Sequence, residues 1–147
     1  MVTSKIILVL RKLSKNDLSY FRDFLASPYF NNKSKLLMFY DLLKKYAPDF
    51  DERKINKAKI YTKLYPESNF NTQVYKNLCS ELYLLAKEFI AISHYKKNEF
   101  KQSINLLERF ETYGADELYK SELKYLRRKL NKSKYDDEHF LNKFKLA

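Results

Sequence analysis

The sequence predicts an all-α protein: a single-domain orthogonal or bundle arrangement of about six to seven helices around a long central helix over residues 72–96. Four observations predict it. Tyr75, Leu78, Leu82, Leu85, Phe89 and Ile92 recur at alternating steps of three and four, which lines them along one helical face. Cys79, Tyr83, Ala86 and Ile90 form a parallel row, so the stripe is broad and needs several neighbours to cover it. The chain also has 1 glycine and 3 prolines in 147 residues, too few for a turn-rich β architecture. Finally, one pattern of apolar residue, cap and apolar residue recurs three times, as Leu13-Ser14-Leu18, Ile55-Asn56-Ile60 and Phe70-Asn71-Tyr75.

Taken in order, the apolar run Ile6 to Leu10 is five residues long and meets Arg11 and Lys12 at once. It is too short for a secretory segment, which needs about 7–15 apolar residues. Ser14 and Asp17 predict a capped helix with Leu18, Phe21, Phe24 and Leu25 inward, leaving at Ser27 because the residue before Pro28 is steered out of helical angles. Tyr29 and Phe30 are expected to plug the joint that follows. Asn31 or Asn32 should cap the next helix, with Leu36, Phe39, Tyr40, Leu43 and Tyr46 inward and Pro48 closing it. Asp49 to Arg53 reads as polar connection. Asn56 then starts a short helix carrying Ala58, Ile60, Tyr61 and Leu64, stopped by Pro66.

Asn71 launches the central helix, and Lys96-Lys97-Asn98 marks the next joint. Phe100, Ile104 and Leu107, with Leu106, Phe110 and Tyr113 beside them, predict a helix ended by Gly114. Asp116 is expected to cap a further helix with Tyr119, Leu123, Leu126 and Leu130 inward. A last segment near Asp136 carries Phe140, Leu141 and Phe144. The organisation expected is an N-terminal bundle over 1–97 and a helical hairpin over 98–147 packed on it, which could open a longer helical-repeat region. The end at Ala147 has no glycine or cap, so a fraying helix and a chain continuing beyond it both remain open.

Composition narrows the function. Hydrophobic content of 45% with 32% charged residues describes a folded globular chain. No run approaches the roughly 18 apolar residues of a membrane span. The single cysteine, Cys79, excludes an internal disulfide and, with it, points to a reducing, cytoplasmic location. The net charge of +11 is spread along the chain rather than clustered, and the richness in Lys, Asn, Tyr, Phe and Ile, residues with A·T-rich codons, is expected to account for much of it. His94 and His139 stand alone, without the three or four converging ligands a zinc site needs. Cys79 lies mid-helix in an apolar row, unlike an activated thiolate. One glycine excludes a phosphate-cradling loop. Asp136, Asp137 and Glu138 read as an acidic helix start. The expectation is a non-enzymatic protein with no catalytic residue, no cofactor and no metal.

Two resemblances add to this. NKAKIYTKLYP followed by TQVYKNLCSELYLL, residues 56–85, resembles the winged-helix DNA-binding domain of response regulators, through Leu64-Tyr65-Pro66 and the Leu78/Leu82 spacing. That resemblance implies a groove-facing set of Thr72, Gln73, Lys76, Asn77 and Ser80, although Leu84-Leu85-Ala86 stands where the family has arginines and lysines. Over about residues 13–92, FRDFLASPYFN, KIYTKLYP and NLCSELYLLAKEFI are similar to a set of bacterial all-helical proteins of uncharacterised activity.

The leading expectation is a non-catalytic protein-protein interaction or scaffold domain, using apolar helix faces left over by the core, especially after residue 98, for a protein partner or self-association. The alternative is a DNA-binding helix-turn-helix regulator. Its contacts would come from the five residues above or from a basic strip of Lys120, Lys124, Arg127, Arg128 and Lys132 opposite the apolar face of the last long helix. No membrane partner is expected.

Overall fold

The computed structural model describes residues 3–132. It is all-helical, with seven helices and no strand among the described residues. The chain divides into two compact units, residues 1–91 and 92–147, with the boundary inside the longest helix. His139 and the segment around Phe140 lie outside the described residues.

The first unit opens on a helix, α1 (Lys5–Lys12), built from the apolar run Ile6 to Leu10. Ile6, Ile7 and Leu10 fall on one face at helical spacing and are buried. Arg11 reaches across to a later connection, donating from Nε to the Asp49 carbonyl (3.1 Å) and from Nη2 to the Phe50 carbonyl (3.0 Å).

Helix α2 (Lys15–Ala26) begins with a full capping box: Ser14 Oγ accepts from the Asp17 N–H at 3.0 Å, and Asp17 returns the bond at 3.3 Å. It ends at the pre-proline Ser27 in extended conformation. In the joint that follows, Phe30 stacks on Phe24 with centroids 4.4 Å apart, but Tyr29 is 88% exposed. Only one of the two aromatics fits the gap, because the Phe24 face accommodates a single ring. Neither Asn31 nor Asn32 is the cap of α3 (Ser34–Lys44); that position is Lys33. Asn31 instead knits the joint, donating to the Leu25 carbonyl at 2.9 Å and accepting from the Lys33 N–H at 3.1 Å.

Helix α3 packs on α2 and on α4 (Lys57–Leu64). Its Leu36, Phe39, Tyr40 and Leu43 are buried, while Tyr46 is half-buried beyond the helix end. Outside the core, Arg22 and Asp41 form a two-bond ion pair between α2 and α3 at 2.8 and 3.0 Å. The connection to α4 is not wholly polar: Phe50 is fully buried and sits at φ 44°. Burial of the ring offsets a backbone angle that bulky residues seldom adopt. Asn56 Oδ1 caps α4 through the Lys59 N–H at 2.9 Å, and Ile55, Ile60, Tyr61 and Leu64 are buried. Ala58 is exposed, since the inward stripe passes through Ile60 instead.

Helix α5 (Thr72–Lys96) starts at Asn71, whose Oδ1 accepts the Val74 N–H at 3.1 Å, with Phe70 and Tyr75 rings 6.2 Å apart across the cap. Within the first unit its Tyr75, Leu78, Leu82, Ala86 and Phe89 are buried. Phe89 completes an aromatic cluster at 5.2 Å from Phe21 and 5.7 Å from Phe24. Of the second row only Ala86 is fully buried; Cys79 and Tyr83 are half-buried and Ile90 is exposed, and in the first row Leu85 is half-buried as well.

The second unit carries the end of α5 and a helical hairpin, α6 (Glu99–Thr112) and α7 (Asp116–Lys132). Asn98 Oδ1 caps α6 through the Lys101 N–H, and the Gln102 side chain donates to the Tyr95 and Lys96 carbonyls at the end of α5. Gly114, at φ 67°, turns the hairpin. The Ala115 N–H bonds to the Phe110 carbonyl and the Gly114 N–H to the Glu111 carbonyl, the paired bonds of a glycine-ended helix. Asp116 stands in the first turn of α7 rather than at its cap, where its charge still favours the helix dipole. Leu107, Leu126 and Leu130 form the hairpin core, with Phe100, Ile104, Tyr119 and Leu123 packed against it. Ser103 is buried among them and donates to Glu122 Oε1 at 2.6 Å.

Candidate functional site

A concavity of about 600 Å³ lies wholly in the first unit between α1 and α5. Its floor follows from the local helical spacing. In α1, Ile6 and Ile7 turn inward; Leu43 of α3 and Ile55 before α4 close the base. In α5, Tyr75 and Cys79 sit one turn apart, and Tyr83 extends the wall by another turn. Leu84, 58% exposed, forms the lip.

Four lysines, Lys5, Lys57, Lys76 and Lys87, surround this apolar floor, and all four are exposed. Among the described residues none of them is within ion-pair distance of a carboxylate. Instead three lie over aromatic rings. The Lys5 and Lys87 ammoniums are 5.7 and 5.0 Å from the Tyr83 centroid, and that of Lys57 is 5.8 Å from Tyr75. The one carboxylate on the groove, Glu52, accepts from the Ser4 N–H at 3.2 Å, at the start of α1 where an acid is favoured.

Cys79 borders the same groove. Burial pushes its thiol up to about 11, more than the nearby Lys57 charge lowers it. The sulfur is therefore a protonated, weakly nucleophilic wall atom at neutral pH. Among the described residues no group of three or more His, Cys, Asp or Glu side chains is placed to hold a metal ion. His94 is exposed in the last turn of α5.

The helix-turn-helix set is exposed throughout: Thr72, Gln73, Lys76, Asn77 and Ser80 all lie off the core. The structure divides it between two concavities. Lys76 and Ser80 border the groove, whereas Asn77 borders a second cleft of about 440 Å³ bridged by the 3.0 Å Lys33–Glu81 ion pair. The Gln73 amide donates to Asn77 Oδ1 at 2.9 Å, occupying one acceptor that a base edge would need. α5 continues as helix to Lys96 and is followed by α6, so among the described residues no β-hairpin follows it.

The basic strip forms as spaced. Lys120, Lys124, Arg127, Arg128 and Lys132 are all exposed on α7, away from Leu126 and Leu130. Its neighbour Lys129 pairs with Glu99 at 3.5 Å. Among the described residues, exposed large apolar side chains occur on both sides of residue 98, with Leu84, Ile90 and Phe70 before it and Leu106, Tyr113 and Leu118 after it. Sequence reasoning did not find the groove, because α1, far away in the chain, supplies part of its lining. The signal was present in Ile6, Ile7 and Leu10, which share a helical face.

Among the described residues no helix is long and apolar enough to cross a membrane. No family model matches the chain, and neither a curated protein nor a solved structure matches it.

Proposed function

We propose that this chain is a non-catalytic helical interaction domain that takes a segment of a partner protein into the groove between α1 and α5. One observation carries the reading: a groove of about 600 Å³ with an apolar floor is left open beside the core, with Leu84 standing 58% exposed at its lip. Such a groove is what an apolar side-chain row from a partner needs for burial, at about 1.5–3 kcal/mol per fully buried side chain. The groups on it suit binding and not bond chemistry. Its thiol is held protonated, its single carboxylate is engaged by a backbone N–H, and three of its four lysines sit on aromatic faces.

Selection from a displayed library of helical peptides against the full chain tests this. Enriched peptides that lose binding on Leu84→Asp support the reading. A library that yields no enrichment, or peptides indifferent to Leu84→Asp, contradicts it.

Nucleic-acid binding is the second reading, favoured by the exposed α4–turn–α5 ridge of Thr72, Gln73, Lys76, Asn77 and Ser80 and by the α7 strip. Binding to mixed-sequence duplex DNA at two salt concentrations tests it. Affinity at low salt that falls steeply with added salt would support it, and no binding even at low salt removes it.

A further inference from the structure

We infer that the occupant of the α1/α5 groove is an acidic amphipathic helix, its apolar row laid on the groove floor and its carboxylates meeting Lys5, Lys57, Lys76 and Lys87. The inference rests on the interaction reading above and adds the chemistry of the partner. Charge is the first argument. Four exposed lysines face one glutamate around the groove, and that glutamate is already held by the Ser4 N–H. A basic segment would place like charges together, which costs affinity and slows encounter. The second argument is backbone satisfaction. A segment that docks by strand addition needs a sheet edge, and the described residues contain no strand. A helix satisfies its own backbone groups and asks the groove only for side chains.

The third argument is the floor. Leu84 and the Tyr83 ring offer an apolar step and an aromatic face one residue apart, flanked by Lys5 and Lys87. Phosphate oxygens of a nucleic acid would gain the lysines but leave that apolar surface uncovered, whereas leucines on a helix cover it.

The test uses the full chain and a fluorescein-labelled synthetic peptide of about five helical turns. Leucines stand at i, i+3, i+4 and i+7, and glutamates on the flanking positions. A second peptide carries lysine in place of every glutamate. Anisotropy titration gives the affinities, and the rate of Cys79 alkylation reports occupancy of the groove, since Cys79 is the chain's single cysteine and borders it.

The expected result is that the acidic peptide binds at least roughly tenfold more tightly than the basic one and slows Cys79 alkylation. Lys57→Glu with Lys87→Glu, both at exposed positions, should reverse the preference. Equal binding of the two peptides with Cys79 protected overturns the acidic partner while leaving the interaction reading intact. Binding without protection of Cys79 overturns the groove as the site. Failure of both peptides, alongside failure of the library selection, removes both readings. Displacement of the acidic peptide by duplex DNA at low salt overturns the inference in favour of nucleic acid.

Discussion

The Tyr40 hydroxyl donates a 2.6 Å hydrogen bond to the Leu18 carbonyl, fastening α3 to α2 in the interior of the first unit. The ring lies edge-on to Phe21 at 5.0 Å, so one residue supplies both the apolar contact and the polar link. Burial raises the phenol well above its ordinary value, which keeps the donor proton in place through the whole working pH range. Tyr40→Phe keeps the ring and removes the bond. The expected cost is about 1 kcal/mol, or a Tm lower by about 4 °C, measured by thermal melting.

Gly114 ends α6 at φ 67° with open space where a Cβ would stand. Gly114→Ala therefore carries a backbone cost alone, about 1 kcal/mol, with no clash added. Gly114→Asn should cost less, because asparagine tolerates the left-handed region. Denaturant unfolding of both variants checks the order; an alanine variant as stable as the parent would contradict the glycine-ended turn.

Ser103 joins α6 to α7 through Glu122, a 2.6 Å bond to a carboxylate beside a leucine core. Ser103→Ala removes the donor from a carboxylate that is partly withdrawn from water. The expected loss is about 1–2 kcal/mol, read from denaturant midpoints, and Glu122→Gln should recover less than the parent bond.

Cys79 gives a pH prediction. Its folded thiol titrates at about 11, above the ordinary value of 9.0, because burial disfavours the thiolate. At pH 8 alkylation in the native chain should be roughly a hundredfold slower than in the unfolded chain. Stability follows the same sign. The contribution of the protonated thiol is complete below about pH 9 and is lost as pH rises toward 11. Cys79→Ala should flatten that alkaline decline, and an unchanged decline would assign it to other groups.

Much of this fold was legible because its helix starts are written locally. Ser14, Asn56 and Asn71 each cap the helix they precede, and the rows they launch bury Leu18, Ile60 and Tyr75. Where side chains serve long-range partners, local reading stopped short. Asn31 has the composition of a cap but spends its amide on the Leu25 carbonyl six residues earlier. Phe50 sits in a polar stretch, and its burial depends on neighbours that no short window contains. The groove was illegible for the same reason. Its two walls, Ile7 and Tyr83, are far apart in the chain, and their shared cavity exists only once α1 has folded back.

Central to the account is that α5 turns one face into the core and leaves the adjoining face free as a groove wall. Leu82, fully buried, and Leu84, 58% exposed, stand two residues apart on those faces. Thermal melting of Leu82→Asp and Leu84→Asp tests this directly. A charge buried without a partner at position 82 should lower Tm by about 10 °C or abolish the cooperative transition, while the same charge at position 84 should leave Tm within about 3 °C of the parent. A Leu82→Asp chain that melts like the parent, or a Leu84→Asp chain that unfolds, would contradict the placement of α5 on which the groove depends.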